Sequence, residues 1–314
     1  MKEIKPVSNQ VRALITGYDG FVGSYLSELL KNKNYDFFGT TQRGTETKNI
    51  FQVDVTNKTT LVAALKKSKP THIFHLAGFS SVKNSFDYPD LCMRVNYGGT
   101  KNLLNSVREV CPAARVLIVG SAEAYGKPEF LPITEDHQLV GTSPYALSRI
   151  KQESLRQEFT DLHTFWTRSF NHTGPGQGLG FVVPDFASQI ASIKLGQTKP
   201  VIRVGNLDAV RGFTDVRDVV TAYELILEKA REHEVYNVCS DVHISMREIL
   251  DKLIEIAGIK VKVEIDEKLY RKTDVQESYG TAKKLSEDTG WEPRIKIEQT
   301  LNDTLDFWLK KLAK

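Results

Sequence analysis

Arg12-Ala-Leu-Ile-Thr-Gly17-Tyr-Asp-Gly20-Phe-Val-Gly23 is the stretch that decides the fold. An apolar, β-prone run over Arg12–Thr16 ends in a glycine, and two more glycines follow at three-residue spacing as a helical pattern opens at Phe21 or Val22. In a strand-turn-helix of this kind Gly17 permits the tight turn, Gly20 lets the backbone approach a pyrophosphate, and Gly23 allows close packing of helix on strand. The free N–H groups of the helix start, around Phe21 and Val22, then face the anion. A plain strand-to-helix turn needs one glycine rather than three in register, so a dinucleotide-binding unit is the expectation. No Gly-Lys-Ser/Thr follows, which excludes a P-loop.

Downstream, strand-length apolar runs at Tyr35–Thr40, Ile50–Val53, His72–Leu76, Arg115–Gly120 and Thr164–Arg168 alternate with helical spacing over Val22–Lys31, Leu61–Ser68, Leu91–Val107 and Pro144–Phe159. Right-handed crossovers would wind these in both directions from the first strand. The fold class is α/β, a doubly wound parallel Rossmann sheet with ligands above the carboxyl ends of the strands. After Arg168 the texture changes to a loop rich in glycine (Gly174, Gly176, Gly178, Gly180), short helices and isolated strands. The expected division is a Rossmann domain over 11–170, a return segment over 205–240 carrying a helix at Asp215–Ala230 and a strand at Val235–Val238, and a smaller C-terminal α/β lobe over 171–204 and 241–314.

The 314 residues carry 42 Lys+Arg against 39 Asp+Glu, a formal charge of +3, too balanced for a protein that grips nucleic acid. With 40% hydrophobic and 26% charged residues the composition is that of an ordinary globular protein. Apolar runs such as Val116-Leu-Ile-Val119 fall far short of the roughly 20 residues needed to cross a bilayer. Neither nucleic acid nor membrane is an expected partner. Met1 to Gln10 is polar and lacks the apolar centre of a secretory signal, so a cytoplasmic location is expected. Cys92, Cys111 and Cys239 are odd in number and without CxxC spacing, which reads as buried thiols. His72 and His75 point to alternate faces of a strand-like run with no third ligand, so no metal is expected.

The second strand should end near Thr40-Thr41-Gln42-Arg43, where no acid stands to accept from a ribose 2′-OH. Thr41 and Arg43 suit a 2′-phosphate instead, which favours NADP and leaves NAD open; a solvated surface arginine is the rival description of Arg43. Asp54 and Val55, at the end of the third strand, would flank the adenine, with a helix N-cap in this region as the rival. Ser143 and Pro144 open a helix that puts Tyr145 and Arg149 on one face. With Ser121 and Glu123 just past the fifth strand, they form a proton-transfer constellation opposite the coenzyme.

The order of motifs resembles the extended short-chain dehydrogenase/reductase family. Within it, the chain is most similar to the nucleotide-sugar enzymes that reduce GDP-4-keto-6-deoxy-D-mannose and to their sisters, the GDP-mannose 4,6-dehydratases. The residues that carry this are Thr16-Gly17-x-x-Gly20-x-x-Gly23, His75-Leu76-Ala77, Asn96-x-x-Gly-Thr100, Ser121-x-Glu123, Tyr145, Arg168-x-Phe-Asn171-His-x-Gly-Pro-Gly-Gln177, Gly205-Asn-Leu-Asp, Arg211-Gly-Phe-Thr-Asp-Val-Arg-Asp218, Arg271-x-x-Asp274 and Thr289-Gly-Trp-x-Pro293. The resemblance implies that NADP lies on the first lobe, where Leu76, Ala77, Tyr145 and Arg149 join its contacts, and that the second lobe holds a GDP-sugar. Asn171, Arg211, Arg271 and Asp274 match substrate positions, as do Ser81 and Lys83; arginine forks suit phosphate oxygens.

By the same resemblance, hydride from NADPH reaches the C4 ketone, Tyr145 donates the proton, Ser121 hydrogen-bonds the same oxygen, and GDP-D-rhamnose results. Glu123 corresponds to the glutamate that dehydratases use at C5. A dehydratase, a 4-epimerase and a noncatalytic nucleotide-sugar binder stay open beside the reductase, and a homodimer through the helices at 91–107 and 144–159 is implied. One departure stands out: the family has YxxxK and this chain has YxxxR. At about 4 Å and an effective dielectric near 20 a cation favours negative charge on the phenol oxygen by up to ~4 kcal/mol, so Arg149 supplies what the lysine does. Arginine effectively never loses its proton, which closes any relay through a neutral amine. Lys151, six residues past Tyr145, faces away and is no substitute.

Overall fold

The computed structural model describes residues 10–270 and 275–313. Its main sheet is parallel and contains β1 (Arg12–Thr16), β2 (Asp36–Thr41), β3 (Ile50–Gln52), β4 (His72–His75), β5 (Arg115–Ser121), β6 (Thr164–Ser169) and the strand Val235–Val238. From one edge the order is Val235–Val238, β6, β5, β4, β1, β2, β3. The chain runs outward from β1 to β3 and then reverses to β4. The topological switch therefore lies between β1 and β4, where the crevice above the strand ends receives ligands. Thr16 is paired with Thr40 on one side and His75 on the other, so the glycine turn leaves from the middle of the sheet.

The central strands are apolar on both faces because helices cover both. Ala13, Ile15, Phe74 and Leu117 point to one layer with Tyr223, Ile226 and Trp291. Leu14, Ile73, Val116 and Ile118 point to the other with Leu103, Leu104 and Trp166. A third cluster joins the helices Val182–Lys194, Met246–Ala257 and Ile297–Leu312 through Ile190, Leu250, Leu253 and Leu301.

Two expectations need correction. The helix expected over Leu91–Val107 is three pieces: Pro89–Met93, a π turn at Arg94–Gly98 and Gly99–Val110. The wider turn places Asn96 inside the protein, and such bulges are recurrent at functional sites. The expected return over 205–240 is made by its second half. Val210–Asp215 pairs with Asn171–Thr173, His243–Ser245 and Glu277–Ser278 in a small separate sheet, and the way back starts where Asp215 caps the helix Val216–Lys229. Cys92 and Cys239 are buried, Cys111 is half-buried, and all three are free thiols. No helix among the described residues is long and apolar enough to cross a membrane.

Candidate active site

The glycine turn is built as a cradle. Gly17 has φ +70°, and a Cβ there would stand 3.1 Å from the Cα of Ala77. At Gly23 a Cβ would run into the carbonyls of Gly17 and Tyr18, so helix and turn close only because neither residue has a side chain. The amides of Gly17 and Tyr18 both donate to Thr40 O, at 3.1 and 3.2 Å, which ties the turn to the end of β2. Helix Phe21–Asn32 begins without a side-chain cap and without an acid in its first turn, leaving its amides for an anion. Leu76 and Ala77 line the loop after β4, and the Ala77 amide donates to Thr16 Oγ1 at 3.2 Å.

At the 2′ end of this cleft Thr41 does not present a free hydroxyl. It is 1% exposed, donates to Asp19 Oδ2 at 2.5 Å and accepts from the Gly44 amide at 2.8 Å, so it shapes the loop. Arg43 is exposed, and its guanidinium has no ion-pair partner among the described residues. Asp54 is exposed, but one carboxylate oxygen already accepts from the Thr56 amide and hydroxyl, each at 2.8 Å. The rival expectation of a cap is met three residues on, where Asn57 caps Lys58–Ser68. Val55 is buried against Gly99 and receives Asn102 Nδ2 on its carbonyl at 3.2 Å.

Opposite the glycine turn, Ser121 ends β5 and caps the short turn Ala122–Tyr125 by accepting from the Glu123 amide at 3.2 Å. Glu123 is half-buried beside it. The chain loops back, Gly141 N donating to Ala124 O at 3.0 Å, and enters helix Pro144–Ser154 under a Ser143 cap. The Tyr145 amide donates to Ser85 Oγ at 3.2 Å, fixing the first turn against the short helix Val82–Ser85. Tyr145 and Arg149 are 7% and 8% exposed, with the Arg149 Cζ 5.2 Å from the tyrosine ring centre. Arg149 Nη1 donates to Val119 O at 3.1 Å and Gln152 Oε1 at 2.9 Å, and Nη2 donates to Phe79 O at 3.4 Å. Asn96 pins the same loop, accepting from Phe79 N and donating to Ser148 Oγ, each at 2.8 Å. Lys151 lies over the Tyr97 ring at 5.5 Å, on the outer face.

Behind Arg149 the hydrogen bonds have one consistent direction. Thr100 donates to Asn96 O at 2.7 Å, so it accepts from Gln152 Nε2 at 2.8 Å and from His75 Nε2 at 3.0 Å. His75 Nδ1 then accepts from Thr16 Oγ1 at 2.8 Å. Burial above all, and then the charge of Arg149, push the His75 pKa down to about 3, so the ring is neutral.

Across the cleft, exposed Lys83 faces Asp185 on helix Val182–Lys194; burial raises the Asp185 pKa, opposed by the Gly180 amide and by Lys83. Ser81 caps the short helix Val82–Ser85, accepting from Asn84 N at 3.1 Å. Asn171 is exposed at the start of its strand, and Arg211 lies one strand further in, donating to Val210 O at 2.8 Å and Gln276 O at 3.3 Å. Arg271 and Asp274 lie outside the described residues. His172 stacks on Phe21 with ring centres 6.4 Å apart, so helix Phe21–Asn32 touches the strand Asn171–Thr173. Residue reasoning missed Gln152, Asp19 and Gly78 altogether. Only Gln152 left a signal, standing three residues after Arg149 on the same helical face.

The sequence matches the family model of GDP-mannose 4,6 dehydratase over residues 14–304. It is 34% identical over 245 residues to the GDP-6-deoxy-D-mannose reductase of Pseudomonas aeruginosa, covering 76% of this chain and 80% of that one. Over 278 residues it is 31% identical to the GDP-6-deoxy-D-talose 4-dehydrogenase of Aggregatibacter actinomycetemcomitans, covering 88% and 90%. Among solved structures, that of RMD from Pseudomonas aeruginosa complexed with NADPH matches with a TM-score of 0.86 at 30% identity, covering 96% of this chain and 98% of that chain.

Proposed function

The chain belongs to the GDP-mannose 4,6-dehydratase family and is an NAD(P)-dependent oxidoreductase of the extended short-chain dehydrogenase/reductase type, and on that premise we propose that it reduces the C4 ketone of GDP-4-keto-6-deoxy-D-mannose to GDP-D-rhamnose with NADPH. One observation carries the reading. The loop after β4 touches both halves of the chemistry, with Ala77 against Gly17 and Phe79 O against the Arg149 guanidinium, so the coenzyme cradle and the Tyr145 helix share one wall. The residues present fit the coenzyme: a cradle that a Cβ would fill, an uncapped helix start and a cation at the 2′ end. When bound, NADPH supplies the hydride that becomes the C4–H bond. Tyr145 gives its phenolic proton to the C4 oxygen, Ser121 donates a second hydrogen bond to it, and the Arg149 charge stabilises the phenolate left behind.

Arg43 favours the 2′-phosphate, and Asn171, Arg211 and Lys83 suit the diphosphate and nucleoside of the substrate. Thr41 enters this reading through the loop it holds. The expected homodimer, through the helices at 91–107 and 144–159, would cover the exposed side chains of Leu91 and Leu147. The test is NADPH oxidation with GDP-4-keto-6-deoxymannose, with the product identified by mass spectrometry and NMR. Tyr145→Phe should lower turnover by roughly 10²- to 10⁴-fold. Conversion of GDP-mannose alone to a 4-keto sugar without added NADPH would establish the dehydratase instead, and a talo product would reverse the assigned face of attack.

A further inference from the structure

Arg149 is a buried cation that no carboxylate pairs with among the described residues. Its hydrogen bonds end on Val119 O, Phe79 O and the Gln152 amide, and its Nε is buried without any partner. His75 on β4, Cys92 on Pro89–Met93 and Tyr223 on Val216–Lys229 all feel its charge, the Tyr145 ring lies beside it, and half-buried Glu123 after β5 makes no ion pair with it. A charge balanced by dipoles alone keeps its place only if each dipole is held in turn. The Gln152 amide is held in that way. Its Nε2 is committed to Thr100 Oγ1, whose proton goes to Asn96 O, so Oε1 alone can meet the guanidinium. Turned over, the amide would aim N–H groups at a cation. Gly78 makes the room: a Cβ there would lie 2.9 Å from Arg149 Nη2.

We propose that Gln152 is a positioning residue that, with Gly78, carries an arginine where the family carries lysine, fixing the guanidinium beside the Tyr145 ring and leaving its charge unneutralised there. The inference rests on Tyr145 as the proton donor of the proposed reductase. It also makes positions 149 and 152 a unit. A lysine at 149 leaves Gln152 Oε1 without its donor, and an apolar residue at 152 leaves Nη1 with one acceptor.

The test uses the whole chain and two readouts. Ultraviolet difference titration of each variant against the same variant carrying Tyr145→Phe follows appearance of the phenolate without any substrate. Gln152→Glu places a counter-charge on the guanidinium, so the phenolate should appear about one pH unit higher than in the unsubstituted protein, and the high-pH limb of kcat for ketone reduction should move up with it. Gln152→Met serves where the glutamate variant fails to fold. Gln152→Met and Arg149→Lys should each lower kcat about tenfold with KM within about twofold, and the double variant should fall no further, because the residues act together. An unmoved phenol titration in Gln152→Glu, or losses that multiply in the double variant, overturns the positioning role and leaves the reductase standing. If the unsubstituted protein oxidises no NADPH, the reductase reading falls, and the titration alone decides the role of Gln152.

Discussion

His75 should make this protein acid-sensitive by an amount that its surroundings set. The ring is 1% exposed, accepts from Thr16 and donates to Thr100, and its pKa is lowered from 6.5 to about 3. As pH falls the unfolded chain takes up this proton first, so stability is intact above about pH 6.5 and is lost progressively down to about pH 3. Between about pH 7.5 and pH 5 the linkage amounts to about 2 kcal/mol, and the full loss, reached near pH 3, to about 5 kcal/mol. His75→Gln keeps one donor and one acceptor but cannot titrate. That variant should be weaker by about 1–3 kcal/mol near pH 7.5, from imperfect hydrogen bonds, yet lose about 2 kcal/mol less than the unsubstituted protein on going to pH 5. Urea unfolding followed by the fluorescence of buried Trp166 and Trp291 reads both numbers, and the other histidines cancel in the difference. Equal losses in the two proteins would refute the reasoning, since they would mean that folded His75 takes up its proton as readily as the unfolded chain does.

Three further outcomes are expected. Gly23→Ala drives a methyl into the Gly17 and Tyr18 carbonyls, so it should cost about 1–3 kcal/mol of stability by thermal unfolding and weaken NADPH binding at least about tenfold by fluorescence titration. Arg43→Ala should raise KM for NADPH about tenfold while leaving KM for NADH unchanged, and added salt should shrink the difference. Glu153→Gln strips the carboxylate from Arg168, whose side chain is 7% exposed and pairs with Glu153 at 2.6 Å, and should destabilise the fold by about 3–5 kcal/mol in urea; pairing Glu153→Leu with Arg168→Met should cost less, because no charge is then left buried.

Much of the architecture is local in origin and so was legible in the chain. All seven strands of the main sheet fall within a residue or two of their expected runs, because a strand buried on both faces needs an unbroken run and little else. The broken helix at residues 89–110 was hidden because its π turn keeps an ordinary helical pattern on both sides, and only the side-chain bonds of Asn96 to Phe79 and Ser148 give the extra residue a place. Thr41 was legible as a residue at the coenzyme end of β2 but not as a buried one. Its partner Asp19 comes from the glycine turn, 22 residues away. Ser81 and Asp54 show the same limit, since a short polar side chain reads alike whether it waits for a ligand or closes its own turn.

The amino-acid sequence by itself determined the doubly wound sheet, through the alternation of apolar runs and helical spacing along the chain, and the glycine turn and the face shared by Tyr145 and Arg149, through spacing within a dozen residues. Only the tertiary structure decided what the arginine does. Its surroundings come from β4, β5, the loop at Phe79 and the helix that carries Thr100, segments brought together by crossovers and not by sequence neighbourhood. A buried charge takes its properties from the dipoles aimed at it, and that aim is set by packing across the whole sheet.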